Sequence, residues 1–174
     1  MLDLSMLEAA ILVIFPTLVA FAAASDFLTM TIPNRVSLLL VGCFVVMAAA
    51  VGMPLEQVGW HLLAGALVLT VTFGMFAAGW MGGGDAKVAS AIALWIGFNI
   101  NLLYFAALTS AYGLLVIFAM IAFRQMPYLP APLARQEWAL RFHDYRTGIP
   151  YGIAIAAGAL HVYPMTAWFA PLAN

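Results

Sequence analysis

Two carboxylates stand where acid chemistry could be done. Asp26 closes one long apolar stretch, and Asp85 follows three glycines, Gly82, Gly83 and Gly84, where another begins. The chain carries only seven acidic residues, and an ionised group at membrane depth costs roughly 2.5–3.5 kcal/mol even on lenient insertion scales. Two such residues bordering apolar segments suggest a shared task. Carboxyls close enough to hold one proton between them form an acid–base pair, one accepting from water while the other donates to a substrate carbonyl. Side-chain-free glycines would let an extended peptide approach such a pair.

Each residue also has a plainer reading. Asp85, opening a helix after glycines, would serve as an N-cap. Asp26 alone would be an interfacial residue at a helix end. Arg35 or Lys87 would pair with either as a structural ion pair, and the triple glycine would be a turn that ends a helix. Other chemistries have less support. Cys43 is the only cysteine, so an internal disulfide and a CxxC zinc site are both excluded. His61 and His161 fall inside apolar segments and are expected to be hydrogen-bonded packing residues. His143 neighbours Asp144 without a third ligand at metal spacing. Ser25, Ser37, Ser90 and Ser110 lack the context of an activated nucleophile.

The elements that must position the aspartates follow from composition. Of the 174 residues, 66% are hydrophobic and 7% charged, more apolar surface than a soluble domain of this size can hide. The chain is expected to be an all-α polytopic membrane protein forming one domain over residues 1–174. A net charge of −1 gives no footing for nucleic acid. The acidic N-terminus lacks the basic flank of a cleavable signal and reads as a first span. Six segments approach the roughly 20 apolar residues that cross a bilayer: 7–25, 36–53, 58–80, 86–98, 101–123 and 150–170. Ile32-Pro33-Asn34, Gly52-Met53-Pro54, Gly82-Gly83-Gly84, Asn99-Ile100-Asn101 and the prolines 127, 130 and 132 supply the breaks.

Six spans put Arg35, Lys87, Arg124, Arg135, Arg141 and Arg146 on one side, with Asp3, Glu8 and Glu56 opposite. The basic side is then cytoplasmic, with both termini outside. Asp26 and Asp85 border that same side. The fourth segment is short, so Asp85 is expected below the headgroups, reached by water through thinning or a notch. In the one sizeable loop, 124–149, Trp138, Phe142 and Tyr145 recur at helical spacing among Arg135, Arg141 and Arg146. That pattern predicts a short amphipathic cytoplasmic helix on the inner leaflet, either anchoring to anionic lipid or covering the site.

The motifs resemble a known family. Gly82-Gly83-Gly84-Asp85-Ala86-Lys87 is similar to the GxGD motif of membrane aspartic peptidases, in the GxGDxK form of type IV prepilin peptidases. Asp26 followed by Ile32-Pro33-Asn34-Arg35 resembles the other half of that signature, and Ile149-Pro150-Tyr151-Gly152 its closing element. The resemblance implies Asp26 and Asp85 as the catalytic pair. It also implies Gly82, Gly83, Gly84, Lys87, Pro33 and Asn34 as substrate-binding or supporting residues, and no metal or organic cofactor. The implied substrate is a prepilin-like membrane protein with a Gly-ended leader, cleaved at the inner face of a bacterial cytoplasmic membrane. The cysteine-rich zinc region of the larger bifunctional enzymes is missing, so the resemblance is to the compact form serving tight-adherence (Flp) pili, without methyltransferase activity. Competing readings are a GxGD protease of presenilin type, a small proton or cation transporter using both aspartates, and a noncatalytic assembly subunit.

Overall fold

A computed structural model describes residues 4–169. Among them are seven α-helices: α1 (Leu4–Thr29), α2 (Asn34–Ala50), α3 (Leu55–Ala77), α4 (Gly83–Ile96), α5 (Ile100–Arg124), α6 (Glu137–His143) and α7 (Gly152–Val162), then a 3-10 turn at Tyr163–Met165. The expected all-α class is what the described residues form. Three helices, α1, α3 and α5, are long and apolar enough to cross a membrane. Helix α2 and the α7 region are shorter apolar helices. Asp3, counted above toward one side by charge, and the end of the sixth segment lie outside the described residues.

Several boundaries differ from the sequence expectation, each for a local reason. Helix α1 continues to Thr29, so Asp26 sits inside its last turn rather than after it. Helix α3 starts behind Pro54 and stops at Ala77, and Gly79 turns the chain at φ 76°. The triple glycine therefore does not end the third helix. Gly82 is the N-cap of α4, and Gly83 and Gly84 are its first residues. Helix α5 is capped by Asn99, whose side chain accepts from the Asn101 N–H at 2.8 Å. Pro164 lacks the N–H that another turn of α7 would need, and the chain tightens there to 3-10 geometry.

Packing puts the short helices inside. Helix α4 lies among α2, α3 and α7, and α7 among α1, α4 and α5. From Val88 to Ile96 every residue of α4 is buried. Its 14 residues span roughly 21 Å, well short of the ~30 Å hydrocarbon core. Helices α2, α3 and α5 turn large apolar side chains outward, among them Leu38, Val46, Phe73, Leu115 and Phe118. A surface of this kind is at home in lipid.

One end of the bundle is closed by aromatic packing. Phe15 stacks on Tyr163 with ring centroids 4.2 Å apart, and Trp95 packs on Trp168 at 5.0 Å. Their polar atoms are satisfied by backbone: Tyr163 donates to the Ile11 carbonyl, Trp95 to Leu40 and Trp168 to Trp95. Both aspartates are at the opposite end.

Candidate active site

Asp26 and Asp85 line a single cavity of about 830 Å³. Helix α1 brings Asp26 to it and the first turn of α4 brings Asp85. Ends of α3 and α5 and the segment 147–151 complete the wall. The two carboxylates are near enough to interact through their charges. Helices α3 and α5 scarcely touch each other, so the cavity is walled on that side by two helices with a gap between them.

Asp26 is 5% exposed, and a buried carboxylate needs a partner. It has one from far along the chain: the Gly152 N–H donates to Asp26 Oδ2 at 2.8 Å. That bond holds the carboxyl in one orientation, and it exists only because α7 begins against the last turn of α1. The fit is tight. A Cβ on Gly152 would sit 2.9 Å from Asp26 Oδ2 and 2.9 Å from Ile32 Cδ1. Asp85 is half-buried at the third position of α4, its carboxyl turned back on the Gly82 backbone. The N-cap is Gly82, so Asp85 is not the cap the plainer reading offered.

The glycines serve different contacts. Gly84 lies against Ile32, where an added Cβ would meet Ile32 Cβ at 3.3 Å and its carbonyl at 3.4 Å. Through this approach the Ile32-Pro33-Asn34 turn and the start of α4 form one unit. Gly83 faces the Phe76 ring, and Gly82 lies on the cavity wall. Lys87 reaches Asn34, its Nζ donating to Oδ1 at 2.9 Å. It does not line the aspartate cavity but a separate groove. Two residues beyond Asp85 on a helix, it faces almost the opposite way. It clamps α2 to α4 and is not the ion-pair partner of either aspartate that the plainer reading offered.

Other groups at the site carried no chemical assignment in the sequence reading. Arg124, noted there only as a positive charge, ends α5 on the cavity wall and ties down the following loop. Its Nε donates to the Phe142 carbonyl at 2.9 Å, and its Nη2 to Thr147 at 2.7 Å and Gly148 at 3.0 Å. Tyr151 also lines the cavity, its ring pressed against Gly113 of α5. Met30, Met75, Met81 and Trp80 give the cavity an apolar rim. The signal for Arg124 was weak but present, a lone cation at the end of an apolar helix before a long connection.

The loop helix has a different use for its apolar face than the sequence suggested. Helix α6 is only seven residues long and ends before Tyr145. Trp138 and Phe142 pack on Phe27, with centroids 5.2 and 5.0 Å away. Arg141 donates to the Leu28 carbonyl at 2.6 Å. The face expected to rest on lipid is thus occupied by the end of α1, next to Asp26. His61 and His161 are hydrogen-bonded, as expected, to the Leu94 carbonyl at 2.7 Å and the Tyr112 hydroxyl at 2.9 Å.

An all-helical bundle with an apolar exterior and paired carboxylates in a cavity at one end defines a membrane protein with the makings of a hydrolase. A model of the type IV leader peptidase family matches residues 13–123, and the chain belongs to that family. The matched stretch contains both aspartates, the 82–87 motif and the Ile32-Pro33-Asn34 turn, while Tyr151 and Gly152 lie beyond it. Neither the curated proteins nor the solved structures yield a match. Family membership makes this protein a peptidase, with a general role in processing type IV prepilin leaders.

Proposed function

We propose that this protein is an aspartic endopeptidase that removes Gly-ended leaders from prepilin-like precursors at the cytoplasmic face of a bacterial inner membrane. The observation that carries this reading is the convergence of Asp26 and Asp85, from separate helices, on one cavity at the basic end of the bundle. Asp26, held by the Gly152 N–H, and Asp85, beside the glycine backbone, activate a water between them. One carboxyl takes the water proton as oxygen attacks the scissile carbonyl, and the other donates to the carbonyl oxygen. The resulting tetrahedral carbon collapses when the nitrogen is protonated and the C–N bond breaks.

The topology that goes with this reading has six spans in one domain, both termini outside and all six Lys and Arg residues inside. Helix α4, too short for a full crossing, leaves Asp85 below the headgroups, with the cavity admitting water to it. The apolar helix of the precursor lies along the gap between α3 and α5, so that only its leader junction reaches the carboxylates. The lack of a cysteine-rich insertion matches a compact, peptidase-only enzyme of the kind serving tight-adherence pili. Closure of the far end by the Trp95, Trp168 and Tyr163 cluster favours hydrolysis over ion passage.

The test is co-expression with a prepilin bearing a Gly-ended leader, read by mobility shift. Asp26→Asn and Asp85→Asn are each expected to abolish cleavage while the protein still inserts in the membrane. Cleavage that survives either substitution removes that residue from the mechanism. Ion flux into proteoliposomes without cleavage would replace the proposal with a transporter.

A further inference from the structure

A second cavity, about 580 Å³, lies on the side of α4 away from the aspartates. It exists because α2 and α3 both pack on α4 but scarcely on each other. The three helices line it with matching stripes, from Asn34 to Val41, Leu62 to Leu69 and Lys87 to Leu94. The walls are almost wholly apolar, and Gly65, Ala66 and Ala91 keep the groove open. At the end near the aspartates stands the lining's single cation, Lys87. It is exposed and spends one N–H on Asn34, leaving two of its three donors for a ligand. Arg35, also exposed, is the next residue along from Asn34.

We propose that this groove binds an anionic phospholipid of the inner leaflet, with the phosphate at Lys87 and one acyl chain between α2 and α3. Depth decides the occupant. Each stripe covers two helical turns, about 11 Å, whereas a bound spanning helix would need a groove running the ~30 Å of the hydrocarbon core. One leaflet contributes about half that thickness, which suits a chain hung from a headgroup at the groove mouth. The cytoplasmic leaflet is the one rich in anionic lipid, and the charge on Lys87 complements it. The inference rests on the proposed orientation and is independent of the peptidase mechanism. Its consequence is structural: the lipid would bridge the Asn34–Lys87 clamp that joins α2 to α4.

The test uses the full chain, delipidated in detergent and titrated with phosphatidylglycerol or phosphatidylcholine of identical chains, bound lipid being counted by native mass spectrometry. One phosphatidylglycerol is expected to bind with about fivefold preference, the equivalent of the ~1 kcal/mol contributed by one cation near an anionic surface. Lys87→Gln should erase the preference and Lys87→Arg retain it. Ala66→Trp, at an exposed position on the groove wall, should weaken both lipids alike without lowering the unfolding temperature. A wild-type protein with no preference, or a preference that survives Lys87→Gln, overturns the headgroup assignment. Unchanged binding in Ala66→Trp overturns the groove. A benzoylphenylalanine at position 66 should crosslink to lipid in membranes, and crosslinking to a precursor helix instead would overturn the choice of occupant.

Discussion

Gly152→Ala should damage the enzyme by displacing one carboxyl. The added Cβ would lie 2.9 Å from Asp26 Oδ2, 2.9 Å from Ile32 Cδ1 and 3.0 Å from Asp26 Cβ. Ordinary carbon contacts are about 3.5–4.0 Å, so at least one neighbour must retreat by roughly half an ångström. Ile32 Cδ1 is the end of a flexible side chain and yields readily. Asp26 Cβ is attached to helix backbone and does not, so the carboxyl rotates or α7 moves away. Either movement strains the 2.8 Å hydrogen bond that orients Asp26. Overpacking of this kind costs about 1–3 kcal/mol of stability, and misplacing a reacting group by about 1 Å can cost a hundredfold in rate. The expected outcome is a fall in cleavage rate of about tenfold to a hundredfold, with a folded protein of lowered unfolding temperature. Timed mobility-shift assays in membranes measure the first and thermal unfolding in detergent the second. Gly42→Ala is the control, since nothing lies within 4 Å of a Cβ there, and it should leave cleavage unchanged without lowering the unfolding temperature. Wild-type cleavage by Gly152→Ala would refute the claim that the Gly152 contact sets the working position of Asp26.

Two further substitutions separate the site from its scaffold. Arg124→Gln should release the 142–148 segment from the end of α5, because the guanidinium bonds to Phe142, Thr147 and Gly148 are lost. At about 1.5–3 kcal/mol for a hydrogen bond to a charged group, faster limited proteolysis within that segment is expected, and wild-type resistance would show that the arginine does not anchor it. His61→Phe leaves the buried Leu94 carbonyl unpaired, at about 1–3 kcal/mol. Leu94 is about 13 Å along α4 from Asp85, so stability should fall while cleavage per folded molecule holds, and a selective loss of activity would contradict that separation.

The two groups of candidate-site residues differed in how far the sequence revealed them. The aspartates and the 82–87 motif stood out because charge and consecutive glycines are rare against an apolar background. Arg124 did not, since a lone helix-end arginine is common, and Gly152 entered only within the closing element of the resemblance, with no link to Asp26. Helix ends were displaced by a few residues for a related reason. The Gly82–Gly84 run reads as a break, but two of its residues start α4, where Gly84 lets the Ile32 turn approach and Gly83 the Phe76 ring.

By itself the chain determined its class, its candidate carboxylates and the clustering of basic residues at one end. Each follows from composition or from the cost of charge near lipid. Only the tertiary structure decided that α4 and α7 lie inside, that a backbone N–H in α7 holds Asp26, and that Lys87 faces a groove instead of the aspartates. Lipid is as apolar as a protein core, so a membrane helix carries no strong hydrophobic stripe to reveal which face is buried. Packing of small residues, and the partners it brings within reach, makes that choice.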